Sequence, residues 1–228
     1  MFDDPAALFY TGNAGQQYHD VKRSIPEAAI PWVANLRAKK FSPHVGATDI
    51  VFEFGVGSGW NLAKLHCARR VGYDISTFLK PLVEKQGIEF ISDLASVPKT
   101  SIDVVLCHHT LEHLKDPSAA LEQIAKLLVP EGKLLLYVPF EKERRYRRYT
   151  PGEPNHHLYS WSVQTLGNLV EQVGFKVVAG KIGRFGYDRF AANWAARFNL
   201  GESGFRLVRS AVHLVKPACE VRIVAVKK

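Results

Sequence analysis

The chain has 228 residues, 46% hydrophobic and 23% charged. That is enough for one sizeable core and short for two, and the balance excludes wholesale disorder or a fibrous repeat. The net charge of +8 is uneven: residues 1–100 hold 11 Lys/Arg against 10 Asp/Glu, which leaves 19 against 12 for residues 101–228.

Taken in chain order, residues 1–48 show no strand-like run and are expected to form a helical cap. The acidic opening MFDDPAALFY has no apolar stretch of the secretory type. Pro26 suits the first turn of a helix that ends in basic residues, and Pro31 kinks or restarts it. From residue 49 the pattern changes. DIVFEFGVGSG is a β-branched and aromatic run broken by glycines, followed by the helix-like WNLAKLHCARR. VGYDI, IEFISDL, IDVVLCHH and GKLLLYVPF read as strands, with helix-like TFLKPLVEKQ and PSAALEQIAKLLV among them. Apolar runs of this length alternating with helices predict βαβ units and a doubly wound, mostly parallel sheet with helices on both faces. Residues 139–159 lapse into a charged loop, expected as an insertion or lid. SWSVQTLGNLVEQVGF then reads as a capped helix, FKVVAGKI as a strand, GFRLVRSAVHLV as a helix and CEVRIVAVKK as the last strand. No apolar run approaches the roughly 20 residues that span a bilayer. Cys67, Cys107 and Cys219 are too scattered for a disulfide framework or a metal knuckle, so a cytoplasmic protein is expected.

The chemistry concentrates where the first strand turns. Glu53-Phe54-Gly55-Val56-Gly57-Ser58-Gly59 places three glycines where a ligand can approach the backbone. The spacing is GxGxG, and Trp60 stands where the dinucleotide fingerprint has its third glycine. Glu53 is placed to meet a cationic ammonium. Asp74, ending the second strand, can accept from both ribose hydroxyls. Asp93, ending the third, can accept from an adenine amino group. Alternatively, each acid caps the helix after it.

The stretch from 49 to 138 resembles the class I S-adenosylmethionine-dependent methyltransferases. VFEFGVGSGWNL resembles their first motif, VGYDIS their ribose-binding acid and FISDL their adenine-contact segment; IDVVLCHHTLEHLKDP resembles the strand-loop-helix of their small-molecule branch. The resemblance implies a seven-stranded sheet whose final strand, within 218–227, runs antiparallel, in a domain covering residues 49–228. It implies S-adenosylmethionine as donor and S-adenosylhomocysteine as product. The implied cofactor residues are Glu53, Gly55, Gly57, Gly59, Asp74, Ile75, Asp93, Leu94, His108 and His109.

The acceptor is expected to be a small molecule, anionic or phosphorylated, held by Arg144, Arg145, Arg147, Arg148 and Tyr159. His109, His156 and His157 are candidate bases. The basic segment also suits an RNA or other nucleic-acid methyltransferase, although the Asn/Asp-Pro-Pro-Tyr/Phe pattern is absent after the fourth strand. An NAD-dependent oxidoreductase and a non-catalytic scaffold remain further alternatives. His109-Thr110-Leu111-Glu112-His113 spells HxxEH, a zinc-protease signature in reverse. Zinc there needs a third protein ligand, and the expectation is that no metal binds.

Overall fold

The computed structural model describes residues 7–22, 24–141, 148–151, 153 and 155–228. Its centre is a seven-stranded sheet in the order β3-β2-β1-β4-β5-β7-β6. The strands are β1 (Ile50–Phe54), β2 (Arg69–Tyr73), β3 (Glu89–Ile91), β4 (Ile102–His108), β5 (Leu128–Phe140), β6 (Phe175–Arg184) and β7 (Cys219–Lys227). β1 to β5 pair in parallel, while β7 runs antiparallel between β5 and β6. Strand order reverses between β1 and β4, and in such sheets a cleft opens at the carboxyl ends of the two strands that flank the reversal.

Two apolar layers cover the sheet. On one face Phe52, Val105, Leu134 and Leu136 pack with Leu121 and Ile124 of α5 (Pro117–Leu127) and Leu166 and Val170 of α6 (Val163–Gln172). On the other, Val51, Val104, Leu106 and Leu135 meet Ala38 and Phe41 of α3 (Ile30–Phe41) and Val83 of α4 (Lys80–Glu84). Local sequence explains the helix ends. Asp116 caps α5 by accepting from the Ala119 N–H, with Pro117 at the first position; Ser162 and Thr165 form a reciprocal capping box on α6. Pro31 restarts a helix: a single 3-10 turn at Glu27–Ala29 leads into α3.

The first 22 residues contribute α1 (Ala7–Tyr10) and α2 (Gly12–Lys22). At the other end α7 (Asp188–Arg197) and α8 (Gly201–Val215) form a pair whose Ala191, Ala192, Ala195 and Phe205 pack against Ala29, Val33 and Trp60. Among the described residues no helix is long and apolar enough to cross a membrane.

One local expectation needs correction, and one helix was not anticipated. Residues 60–70 are not a helix: turns run over 60–64 with one i→i−4 bond, from the Ala63 N–H to the Gly59 carbonyl, 65–68 are irregular, and 69–70 already belong to β2. The cause is packing. Trp60 enters the cluster with α7, whereas Leu62 and Leu65 enter the layer beneath α3, and the 60/62/65 spacing does not share one helical face. The unanticipated helix is α7, within the stretch 185–200, for which the sequence reading assigned no element. Its start follows left-handed Gly186 and Tyr187 (φ 92° and 64°) without a side-chain cap.

Candidate active site

The cleft at the carboxyl ends of β1, β2 and β4 encloses a cavity of about 1440 Å³. The glycine turn forms its floor. Gly55 has φ +81°, and a Cβ there would stand 2.2 Å from the Thr110 hydroxyl, so only glycine lets the turn pack against the end of β4. At Gly57 (φ +51°) a Cβ would meet nothing within 4 Å; the turn faces open cleft. The Gly57 N–H donates to Asp74 Oδ2 (2.8 Å) and the Ser76 N–H to Asp74 Oδ1 (2.9 Å). This fixes the carboxylate at the end of β2 while leaving lone pairs for two ribose hydroxyls.

Gly55, Gly57, Asp74, Ile75, Asp93, Leu94, His108, His109 and Tyr159 all line the cavity. Asp93 also accepts from the Ala95 N–H and caps the 3-10 turn Leu94–Ser96, so it serves locally as well as facing the cleft. Gly59 (φ +77°) lies behind the wall against Ile88. Glu53 is completely buried behind Asn61, whose Nδ2 donates to its Oε1; its Oε2 has no hydrogen-bond partner. Burial pushes the Glu53 carboxyl up to about 8. An orphaned carboxylate oxygen, an open glycine turn and an anchored ribose acid fit the ammonium, methionine chain and ribose of S-adenosylmethionine. Ile75, Leu94 and Ala95 offer apolar walls to its adenine.

The remaining expected residues fall elsewhere. His156 stacks on Phe9 at 3.9 Å, and His157 lies 2.8 Å from Glu141; neither is on the cavity wall. Arg148 is exposed outside it. Arg144, Arg145 and Arg147 lie outside the described residues.

Several functional side chains escaped the sequence reading. Arg37 of α3 lines the cavity, donates to Asn61 Oδ1 (3.3 Å) and pairs with Asp188 (3.2 Å), which Arg209 also holds (2.8 Å). Its guanidinium is placed to meet a donor carboxylate. Tyr10, Tyr18 and His19 of the two N-terminal helices also line the cleft.

Behind β4 sits a second charged group. Because β7 is antiparallel, its first residues lie beside the carboxyl end of β5, and this carries Glu220 under the cleft. Lys40 Nζ approaches both Glu220 oxygens (2.9 and 3.1 Å), Arg222 donates to Oε1 (2.8 Å), and His108 and His109 reach Oε2 (3.3 and 3.2 Å). Burial alone would raise the Glu220 carboxyl, but bonds from His108 and His109 and the Lys40 charge hold it well below the usual range. Burial pulls the Lys40 amine down to about 8 despite Glu220, and burial beside Lys40 pushes His108 well below an ordinary histidine. His109, tilted 4.0 Å from the Phe185 ring, is thereby oriented at the cavity wall.

A sheet of this order with an acid-and-glycine cleft at its switch point defines the Rossmann-like methyltransferase fold. A family model described as a methyltransferase domain matches residues 21–179, and the chain belongs to that family. It is 27% identical over 186 residues to a "Probable S-adenosylmethionine-dependent methyltransferase" of Mycobacterium tuberculosis, a match covering 77% of this chain and 64% of that one. The chain thus spans less than two thirds of that relative. A shorter match, 43% over 49 residues, is to a ubiquinone biosynthesis O-methyltransferase of Xanthomonas oryzae, covering 22% of this chain and 20% of that one. The fold superposes on Burkholderia thailandensis 1,6-didemethyltoxoflavin-N1-methyltransferase, crystallised with bound 1,6-didemethyltoxoflavin and S-adenosylhomocysteine, at a TM-score of 0.60 and 20% identity. That superposition covers 98% of this chain and 88% of that one.

Proposed function

We propose that the protein transfers the methyl group of S-adenosylmethionine to a small-molecule acceptor, with an anionic or phosphorylated one favoured. The observation that carries the reading is the strap formed by Tyr10. Its carbonyl accepts from Ser76 Oγ (2.6 Å) on the donor side, and its hydroxyl donates to the Asn155 carbonyl (3.0 Å) on the far side. A cleft crossed in this way supports a metabolite-sized acceptor over a duplex or a folded RNA. The alternative nucleic-acid reading draws its support from charge alone.

In this reading Glu53, Arg37, Asp74 and Asp93 hold the donor's ammonium, carboxylate, ribose and adenine. The acceptor's oxygen or nitrogen attacks the methyl carbon in line as the carbon–sulfur bond breaks. The sulfonium charge disappears, so the chain's task is positioning and exclusion of water. His109, oriented by Glu220, takes the acceptor's proton. The test supplies methyl-labelled donor and the purified protein to fractionated metabolites and to RNA. Label should enter a small molecule, and His109→Ala should lower kcat at least about 10²-fold in protein that still binds S-adenosylhomocysteine. Label found in RNA alone, or an unchanged kcat in the variant, would overturn the corresponding part.

A further inference from the structure

The HxxEH segment does assemble a ligand set, with a member the sequence could not place. Glu112 and His113 lie in a 3-10 turn, Leu111–His113, directly after β4. The loop that follows β5 is bound to that turn by its backbone: the Leu158 and Tyr159 N–H groups both donate to the Glu112 carbonyl (2.8 and 3.3 Å). This docking brings His157 alongside, with its ring 4.9 Å from that of His113. One ligand atom each from Glu112, His113 and His157 lies within 4.8 Å of the other two.

We propose that Glu112, His113 and His157 form a binding site for one divalent transition-metal ion of the zinc, cobalt or manganese kind, beside the acceptor end of the cleft. The hydrogen-bond arithmetic leads there. Tyr10 has one hydroxyl proton and gives it to the Asn155 carbonyl, so at 2.9 Å from His113 Nδ1 it must accept from that nitrogen. His113 then keeps its lone pair on Nε2, which stands 3.7 Å from Glu112 Oε1. His157 Nδ1 is 2.8 Å from Glu141 Oε1, a carboxylate that only accepts, so Nδ1 carries a proton and Nε2 is the nitrogen left to ligate. Each histidine is thus oriented through its far nitrogen by an oxygen partner, the outer-shell arrangement typical of metal-bound imidazole. Tetrahedral bonds of about 2.0–2.1 Å put donor atoms about 3.3 Å apart, a few tenths of an ångström from the Glu112–His113 separation. Two histidines and a carboxylate leave coordination positions for water or substrate. His113 and Tyr159 line the cavity, so those positions border the cleft.

The neighbouring trio His108, His109 and Glu220 is also close enough to ligate, but two fixed cations already occupy it. Lys40 and Arg222 both contact Glu220, and Lys40 Nζ is 3.0 Å from His108 Nε2. A divalent ion there would have to displace a buried ammonium. The HxxEH segment is therefore not a protease centre: His109 turns to Glu220, and Glu112 is a ligand where that signature needs a base.

The proposal goes beyond the methyl-transfer reading and is tested without an acceptor. Full-length protein is stripped with a chelator and titrated with Co²⁺, following visible absorption, with Zn²⁺ as competitor; S-adenosylhomocysteine binding is measured calorimetrically in parallel. The expected result is one Co²⁺ per chain, displaced by Zn²⁺. Affinity should fall at least tenfold in both His157→Ala and Glu112→Gln, with S-adenosylhomocysteine still bound in both, and be retained in His108→Asn. Absence of stoichiometric Co²⁺, equal binding in all variants, or loss confined to His108→Asn would each overturn it. Failure to bind S-adenosylhomocysteine would instead count against the methyl-donor assignment.

Discussion

Glu53 is the residue on which the proposed donor binding and stability meet. Its carboxyl is pushed up to about 8 by burial, offset in part by Asn61 and Arg37. In the folded chain it is therefore largely protonated at pH 7, while in the unfolded chain it ionises near 4.5. A raised folded value means its contribution is fully present below about 4.5 and is lost as pH rises through about 8, with a slope up to about 1.4 kcal/mol per pH unit. Glu53→Gln should flatten that window, giving a variant less sensitive to pH between 5 and 8 in denaturant titrations. The same group should couple to the donor. An ammonium beside Oε2 favours the ionised form, so donor binding at pH 7 should release a proton. Calorimetric enthalpies in buffers of different ionisation enthalpy would reveal it, and the buffer dependence should vanish in Glu53→Gln. Identical buffer dependence in parent and variant would mean that another group carries the proton.

At the scale of elements, α3 matters most, and its role was hidden in the sequence. Its basic end reads as a complement to the helix dipole, yet Arg37 and Lys40, one turn apart, both point into buried carboxylates. The glycine turn and the acids at strand ends were legible because strand-turn junctions are set by residues adjacent in sequence. Glu220, Asp188 and Tyr10 were not, because partners that place them in the site, Lys40, Arg37 and His113, lie 180, 151 and 103 residues away and only the tertiary fold selects them. The 60–70 segment misled for a related reason: its apolar residues are shared between two cores, which periodicity alone does not reveal. Asp188 ties α3 to α7 through Arg37 and to α8 through Arg209. Burial opposes its charge, but the two guanidiniums hold its carboxyl below the ordinary value of 3.8. Its contribution is accordingly present above the ordinary carboxylate range and lost as pH falls through the depressed value. Asp188→Ala leaves both arginines uncompensated and should cost about 3–5 kcal/mol near neutral pH. It should also weaken S-adenosylhomocysteine binding, since Arg37 loses its anchor. A loss below 1 kcal/mol by urea denaturation, with donor affinity intact, would show that α7 and α8 dock independently of this pair.

At the scale of the whole molecule, two features pull the function in different directions. The net charge of +8 and a pI near 9.4 favour polyanions, whereas a cleft bridged by Tyr10 favours a small acceptor. Both can hold if the charge is used locally. β5 ends at Phe140, at the end of the sheet where the proposed donor residues lie, and in sequence the segment Lys142–Arg148 follows after one intervening residue. Its arginines suit bidentate contacts to phosphate or carboxylate. Surface attraction to RNA should therefore be weak and fall steeply with salt, with a slope of about −0.7 per phosphate neutralised on a single strand. Replacing Arg144, Arg145, Arg147 and Arg148 by Ala should flatten that slope by about 3 and raise the KM of an anionic acceptor. Donor affinity should stay unchanged, because the proposed donor partners sit on α3, β1, β2 and the turns after β3 and β4. The pairing of measurements decides the outcome. A changed RNA slope with unchanged acceptor kinetics would reduce the segment to solvated surface. Tight RNA binding at physiological salt, abolished together with methyl transfer in the variant, would transfer the acceptor assignment to nucleic acid.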